Sequence, residues 1–185
     1  MARFLLEKSI TAVVLAAGNG SRMAGNGLPK VLHMLAGQTM LDRVFGALRE
    51  SKVTDLCLIL SKQHARFTDF IAKNDDIAVC LQHKQNGTAG AVKTVLPHLA
   101  NNEKVLVLYA DTPLIDHKLL EKFIKYMPKS DVKVLTVNLE NPFGYGRIVR
   151  EQAEEEIVAK IIEELEADHI QKNIKECNTG IIFSD

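Results

Sequence analysis

Short apolar runs alternate along this chain with stretches of helical period, and that alternation constrains the fold more than any other feature. "TAVVLA" (Thr11–Ala16), "DLCLIL" (Asp55–Leu60), "IAVCL" (Ile77–Leu81), "KVLVLYAD" (Lys104–Asp111) and "VKVLTVNL" (Val132–Leu139) read as strands. Leu41, Val44, Phe45 and Leu48 make one helical stripe, with Thr39 as its N-cap. Phe67, Phe70 and Ile71 mark a second helix. Val92, Val95, Leu96 and Leu99 mark a third, starting near Gly87. Asp116 caps a fourth, whose stripe is Leu119, Leu120, Phe123, Ile124 and Met127. Near-continuous apolar strands alternating with helices predict an α/β fold, a mostly parallel sheet with helices on both faces. Ligands of such sheets bind beyond the carboxyl ends of the strands. The segment after Leu15, the loop Gln82–Gly90 and Asp111 are therefore expected on one rim.

The chain-wide numbers narrow the function classes. Lys and Arg together number 23 and so do Asp and Glu, which argues against a nucleic-acid-binding surface. No apolar stretch approaches the roughly eighteen residues of a membrane span. The start, "MARFLLEKSI", is too short in apolar residues for a signal peptide. Cys57, Cys80 and Cys177 are odd in number and widely spaced, and are expected to be buried, reduced thiols of a cytoplasmic protein. At 185 residues the chain can bury about 70% of its unfolded surface without a disulfide.

After the first strand comes "LAAGNGSRMAGNGLPK" (Leu15–Lys30), with four glycines and two cations. Bare backbone amides approach an anion closely, so such loops commonly hold phosphate. A dinucleotide fingerprint fails here, because Gly18 and Gly20 are followed by Met23 at the third position and Leu60-Ser61 supplies no acid. A P-loop fails because Asn26, not Lys, follows Gly25. What remains is a glycine loop carrying a guanidinium, Arg22, and an ammonium, Lys30, suited to phosphate as a fork and as a point charge.

The stretch "LAAGNGSRM…LPKVLHMLAGQTML" resembles the sugar-nucleotide pyrophosphorylases. It is most similar to the N-terminal uridylyltransferase domain of the bacterial bifunctional N-acetylglucosamine-1-phosphate uridylyltransferase / glucosamine-1-phosphate acetyltransferases. "LQHKQNGTAGAV", "LYADTPLI", "NPFGYGRIVR", "IIEELEA" and "ECNTGI" follow in the family's order, so the resemblance runs from Ile10 to the end. It implies a Rossmann-like sheet of the nucleotide-diphospho-sugar transferase type, truncated at its C-terminus, with residues 1–185 forming a single incomplete nucleotidyltransferase domain. The implied reaction transfers UMP from UTP to N-acetylglucosamine 1-phosphate and releases pyrophosphate, for cell-wall precursor synthesis. The implied cofactor is Mg²⁺, held by Asp111. Arg22 and Lys30 match the family's phosphate-binding cations. Leu15, Ala16, Ala17 and Gly18 match the backbone against the nucleotide, and Gln82, Gly87 and Thr88 the residues that read uracil. Tyr109, Gly146, Glu163, Asn178 and Thr179 match the sugar side. The alternatives are another sugar-phosphate nucleotidyltransferase, including one for CTP, and a non-catalytic nucleotide-binding module.

In one region the two lines of argument conflict. "AEEEIVAKIIEELEA" places Val158, Ile161, Ile162 and Leu165 at helical spacing, whereas the resemblance implies a hairpin with strands at Gly146–Arg150 and Ile157–Ile162. The spacing from Glu163 to Asn178 matches the family's, and favours the hairpin. Departures from the family pattern are Ala110 for Gly, Gly90 for a usual His, Leu165 for a usual Lys, and a loop before Pro29 one residue longer. The family's catalytic domain also continues beyond "NTGIIFSD", with a second Mg²⁺ ligand and a trimerising acetyltransferase domain. The resemblance thus implies weak or absent turnover from these residues alone, and no acetyltransferase activity.

Overall fold

The run predicted as the first strand folds as β1 (Ile10–Leu15), and its Ala12, Val13 and Val14 have no exposed surface. A strand this dry needs every backbone amide and carbonyl paired on both edges. The computed structural model describes residues 9–18, 27–51, 53, 55–61, 64–84, 87–99, 104–126, 131–151, 154 and 156–184. It divides into two compact units, Met1–Val132 with Phe183–Asp185, and Lys133–Ile182.

In the first unit β1 lies between two parallel neighbours, β4 (Asp55–Ser61) and β6 (Lys104–Tyr109), and β5 (Ile77–Gln82) pairs with the outer edge of β4. The order is β5-β4-β1-β6. The chain moves outward from β1 to β4 to β5, then crosses back to β6. Right-handed crossovers in opposite directions must pass over opposite faces, so helices cover both sides of the sheet.

Three helices serve these crossovers, α1 (Met40–Glu50), α2 (Thr68–Lys73) and α3 (Gly87–Lys93), and α4 (His117–Lys125) follows β6. Thr39 caps α1 in a reciprocal box. Its Oγ1 accepts from the Asp42 amide at 3.0 Å, and the Asp42 carboxylate accepts from the Thr39 amide at 3.1 Å. The predicted stripe Leu41, Val44, Phe45 and Leu48 is fully buried, and the Phe45 ring packs on Phe70 of α2 at 5.8 Å between centroids. Asp116 caps α4 through the Lys118 amide at 3.1 Å, as expected, while Met127 lies outside the described residues.

The third helix departs from its prediction. It ends at Lys93, and Leu96–His98 forms a separate 3-10 turn, so Leu99 is not helical. The Thr94 hydroxyl donates to the Ala91 carbonyl at 2.7 Å, and Pro97 has no N–H to continue the ladder.

Between β1 and α1 the chain makes a 3-10 turn, Lys30–Leu32, and a tight hairpin of β2 (Met34–Leu35) and β3 (Gln38–Thr39). The two hairpin-turn residues, Ala36 and Gly37, both have positive φ, the geometry a two-residue turn requires. Arg43 on α1 braces it, donating from Nε to the Leu35 carbonyl at 2.8 Å and from a terminal nitrogen to the Ala36 carbonyl at 3.1 Å.

In the second unit β7 (Val132–Asn138) pairs with β10 (Glu176–Ser184), which also pairs antiparallel with β8 (Arg147–Arg150). β9 (Val158–Ile162) completes a hairpin with β8. The Glu-rich stretch is thus strand and turn, as the resemblance implied and against its helical period. A turn, not a helix, follows Ile162, with the Glu163 carbonyl accepting from the Glu166 and Ala167 amides. Leu165, one of the four apolar positions that suggested a helical stripe, is 98% exposed.

All three cysteines are free, but Cys80 is only half-buried, unlike Cys57 and Cys177. Cys57 on β4 and Cys80 on β5 approach to 3.5 Å between sulfurs. Burial, and then the Cys80 thiol, push the Cys57 thiol up from 9.0 to about 12.

Two predictions follow from this packing. Leu58, fully buried on β4, should cost about 2–5 kcal/mol when changed to Ala, measured by urea unfolding. Above its ordinary pKa the Cys57 thiol ionises in the unfolded chain but stays protonated in the folded one. The unfolded state then binds fewer protons, so stability falls as pH rises from about 9, by up to about 1.4 kcal/mol per pH unit. Cys57→Ala should remove that slope between about pH 9 and 10.5.

Candidate active site at the sheet's carboxyl rim

Strand ladders that continue past the last strand residue hold the start of the glycine loop. The Ala16 amide donates to the Ile59 carbonyl at 2.9 Å, and the Ala110 amide to the Leu15 carbonyl at 3.1 Å. Leu15 and Ala17 are buried, while Gly18 is exposed, with nothing within 4 Å of where a Cβ would stand. The backbone Leu15–Gly18 therefore runs from a dry strand to an open surface. Arg22 lies outside the described residues.

Lys30 and Asp111 meet at this rim, although they are 81 residues apart. Lys30 Nζ donates to Asp111 Oδ2 at 3.0 Å, and both side chains are about 40% exposed (41% and 43%). An ion pair this exposed contributes less than about 1 kcal/mol. Each partner is therefore free energetically to exchange the other for a ligand, the ammonium for an anion and the carboxylate for a cation. Pro29 and the following 3-10 turn, anchored by the hairpin and by capped α1, fix the root of Lys30. Asp111 stands two residues beyond β6, where the Thr112 hydroxyl donates to the Tyr109 carbonyl at 2.8 Å and tightens the turn.

The other predicted rim residues stand at the carboxyl ends of β5 and β6 and at the start of α3. Gln82, the buried last residue of β5, donates from Nε2 to the Gly87 carbonyl at 3.1 Å. Gly87 has φ +85°, which favours glycine there. The hydroxyls of Thr88 and Tyr109 are 3.3 Å apart, joining the start of α3 to the end of β6.

The remaining predicted residues fall in the second unit. Three of them cluster. The Asn178 amide donates to the Gly146 carbonyl at 2.8 Å, and the Glu163 carboxylate lies 3.1 Å from where a Gly146 Cβ would be. Thr179 is engaged otherwise, its hydroxyl donating to the Leu135 carbonyl at 2.6 Å and accepting from the Ile181 amide at 3.2 Å.

A description of the MobA-like NTP transferase domain matches residues 12–174. The chain belongs to the MobA-like NTP transferase family. It is 40% identical over 173 residues to the bifunctional protein GlmU of Nitrosomonas europaea; the match covers 94% of this chain and 37% of that protein. The chain thus spans little more than a third of the relative's length. Solved structures share the fold. A protein described as a glucose-1-phosphate thymidylyltransferase from Bacillus anthracis, in complex with a sucrose, superposes with a TM-score of 0.77 at 21% identity, covering 96% of this chain and 72% of that one. HddC from Yersinia pseudotuberculosis gives 0.72 at 21% identity, over 95% and 76%.

Whether the rim suits Mg²⁺ is decided by its donor set. Among the described residues no group of three or more His, Cys, Asp or Glu side chains is arranged to hold a metal. Asp111 offers a single half-exposed carboxylate beside Lys30. That suits Mg²⁺, which takes one or two protein carboxylates and completes its shell with phosphate oxygens and water. No helix among the described residues is long and apolar enough to cross a membrane.

Sequence reasoning missed the ion pairs that stiffen the second unit. Arg147 is buried, and it donates to the Tyr145 carbonyl and, at 2.7 Å, to the Glu164 carboxylate. Arg150 grips Glu176 with two nitrogens, and Thr136 adds a hydroxyl at 2.6 Å. No local motif signals them, because each partner is set by strand register. It also missed a polar cleft of about 250 Å³ between α1 and the start of α4. The acids there are already engaged, Asp42 in the α1 cap and both Glu50 and Asp116 with His117, at 2.9 and 3.3 Å.

The Arg147 guanidinium, with the Gly144 amide, holds the Glu164 carboxyl below the ordinary range, and the Arg150 guanidinium does the same for Glu176. Depressed carboxyls add stability that is present above their ordinary pKa and lost as pH falls through the lowered one. Acidifying from about pH 5 to 3 should therefore lower the urea midpoint, and Glu176→Gln should flatten that dependence.

Proposed function

We propose that this chain binds UTP and N-acetylglucosamine 1-phosphate and transfers UMP between them, giving UDP-N-acetylglucosamine and pyrophosphate. The observation that carries the proposal is the Lys30–Asp111 pair, 3.0 Å apart at the carboxyl rim beside the backbone Leu15–Gly18. Similarity to GlmU over 94% of the chain supports the choice of substrates.

In this reaction an oxygen of the sugar phosphate bonds to the α-phosphorus of UTP. The bond from that phosphorus to the β-bridging oxygen breaks, and pyrophosphate leaves with the electron pair. The nucleophile is already ionised, so no general base is needed. The barrier lies in bringing two polyanions together, which makes positioning and charge neutralisation the main tools. A unit cation about 4 Å from a unit anion contributes about 4 kcal/mol at an effective dielectric near 20. Lys30 and Arg22 fill that role here. Asp111 would hold Mg²⁺, which would supply further neutralisation of phosphate charge.

Gln82, fixed by the Gly87 carbonyl, presents an amide to an imide edge, with Gly87 and Thr88 beside it, as uracil recognition requires. The Tyr109 hydroxyl pairs with that of Thr88. Glu163, packed against the bare Cα of Gly146, and Asn178 accept or donate to sugar hydroxyls and the N-acetyl group. Thr179 supports them by holding β10 to the Leu135 carbonyl.

Calorimetric titration of the chain with UTP, CTP and dTTP, each with and without Mg²⁺, tests the reading. UTP should bind most tightly, and Asp111→Asn should remove the Mg²⁺ dependence without moving the ligand-free melting temperature. In a pyrophosphate-release assay on a protein with turnover, the same substitution should cost about 100-fold or more. Preference for CTP or dTTP would overturn the uracil assignment.

A further inference from the structure

Glycine at position 27, near the end of the glycine loop, has φ +65°, a conformation side chains rarely adopt. A Cβ there would also stand 2.8 Å from both terminal nitrogens of Arg66 and 3.1 Å from its guanidinium carbon. The guanidinium thus fills the space that only a glycine leaves open. Arg66 comes from the 3-10 turn His64–Phe67, just after β4, the parallel neighbour of β1. Parallel strands end on the same side, so this turn rises at the rim from which the glycine loop departs. Phe67 is buried and anchors the turn, while Arg66 is exposed.

Among the described residues Arg66 makes no hydrogen bond and no ion pair. A long cationic side chain placed against a glycine, with no acid to hold it, leaves its fork of N–H donors uncommitted. Such a fork matches the oxygens of a phosphate in pairs, which an ammonium cannot do. The contrast with the other described arginines is plain. Arg43 is engaged with carbonyls, Arg49 with Asp76, Arg147 with Glu164 and Arg150 with Glu176. Among the described arginines, Arg66 alone combines an unpaired guanidinium with contact to Gly27.

We propose that Arg66 is an additional phosphate-binding cation of this loop, contacting the polyphosphate of the nucleoside triphosphate. It acts alongside Lys30 but is delivered by the turn after β4. The proposal rests on the nucleotide reading of Leu15–Lys30 given above. It extends the loop's charge beyond the cations that the glycine segment itself contains.

The test is calorimetric titration of wild type, Arg66→Ala and Arg66→Gln with UTP, with inorganic pyrophosphate and with uridine, at two salt concentrations. Ligand-free melting temperatures of all three proteins serve as the folding control. Losing charge-assisted hydrogen bonds should weaken UTP and pyrophosphate binding by about tenfold or more in both variants, leave any uridine binding unchanged, and reduce the salt dependence. Arg66→Lys should restore binding only in part. If wild type binds UTP and both variants bind it equally well, Arg66 is not a phosphate ligand and the nucleotide reading stands. A wild type that binds neither UTP nor pyrophosphate overturns the nucleotide reading, and this proposal with it.

Discussion

The burial of β1 between two parallel partners is the constraint from which the rest of the first unit follows. A strand with three consecutive residues out of contact with water cannot leave backbone groups unpaired, so β4 and β6 must flank it. The flanking strands run parallel, and parallel strands need crossovers, which supply the helices. They also bring every strand-to-helix connection that begins at a carboxyl end to one rim. Lys30 and Asp111, far apart in sequence, become neighbours because β1 and β6 are neighbours. The pair is a consequence of sheet order before it is a feature of any site.

Charge at that rim is arranged to be exchanged and not stored. The Lys30–Asp111 pair is half-exposed, whereas Arg147–Glu164 is covered and braced by further donors. A covered pair resists disruption, because removing either partner strands the other in a poor solvent. An exposed pair gives way to a ligand at little cost. The chain thus uses the same two charge types in two ways: fixed in the hairpin of the second unit, and available at the rim of the first.

Much of this was legible in the sequence, for reasons that differ by element. The buried parallel strands announce themselves because no polar residue interrupts them, and α1 because its cap and its stripe agree. What failed did so where local pattern and tertiary context disagree. The third helix has apolar spacing to Leu99, but the Thr94 hydroxyl competes for a backbone carbonyl and Pro97 offers no amide. β10 went unnamed as a strand because Asn178 and Gly180 are poor strand formers. Its φ of +76° at Gly180 and the Asn178 side chain's bond to the Gly180 amide show a strand held by its neighbours. Site residues carried by the resemblance could be located but not read from composition, since a lone Gln, Thr or Asn carries no spacing of its own.

The segment "EELE" shows how far periodicity can mislead and what corrects it. Read as helix, Glu163 and Glu164 would point about 100° apart on a solvated face. In the hairpin they leave the end of β9 into a turn, and their environments separate them. Glu164 accepts from Arg147 and from the Gly144 amide, so its carboxylate is consumed in closing the loop between β7 and β8. Glu163 has no such partner among the described residues and lies instead against the bare Cα of Gly146. Two adjacent, chemically identical side chains therefore divide into one that fastens the hairpin and one without such a partner among the described residues. A Cβ at position 146 would crowd both the Glu163 carboxylate and the Ile161 side chain, at 3.1 and 3.0 Å, so the glycine is what permits the division.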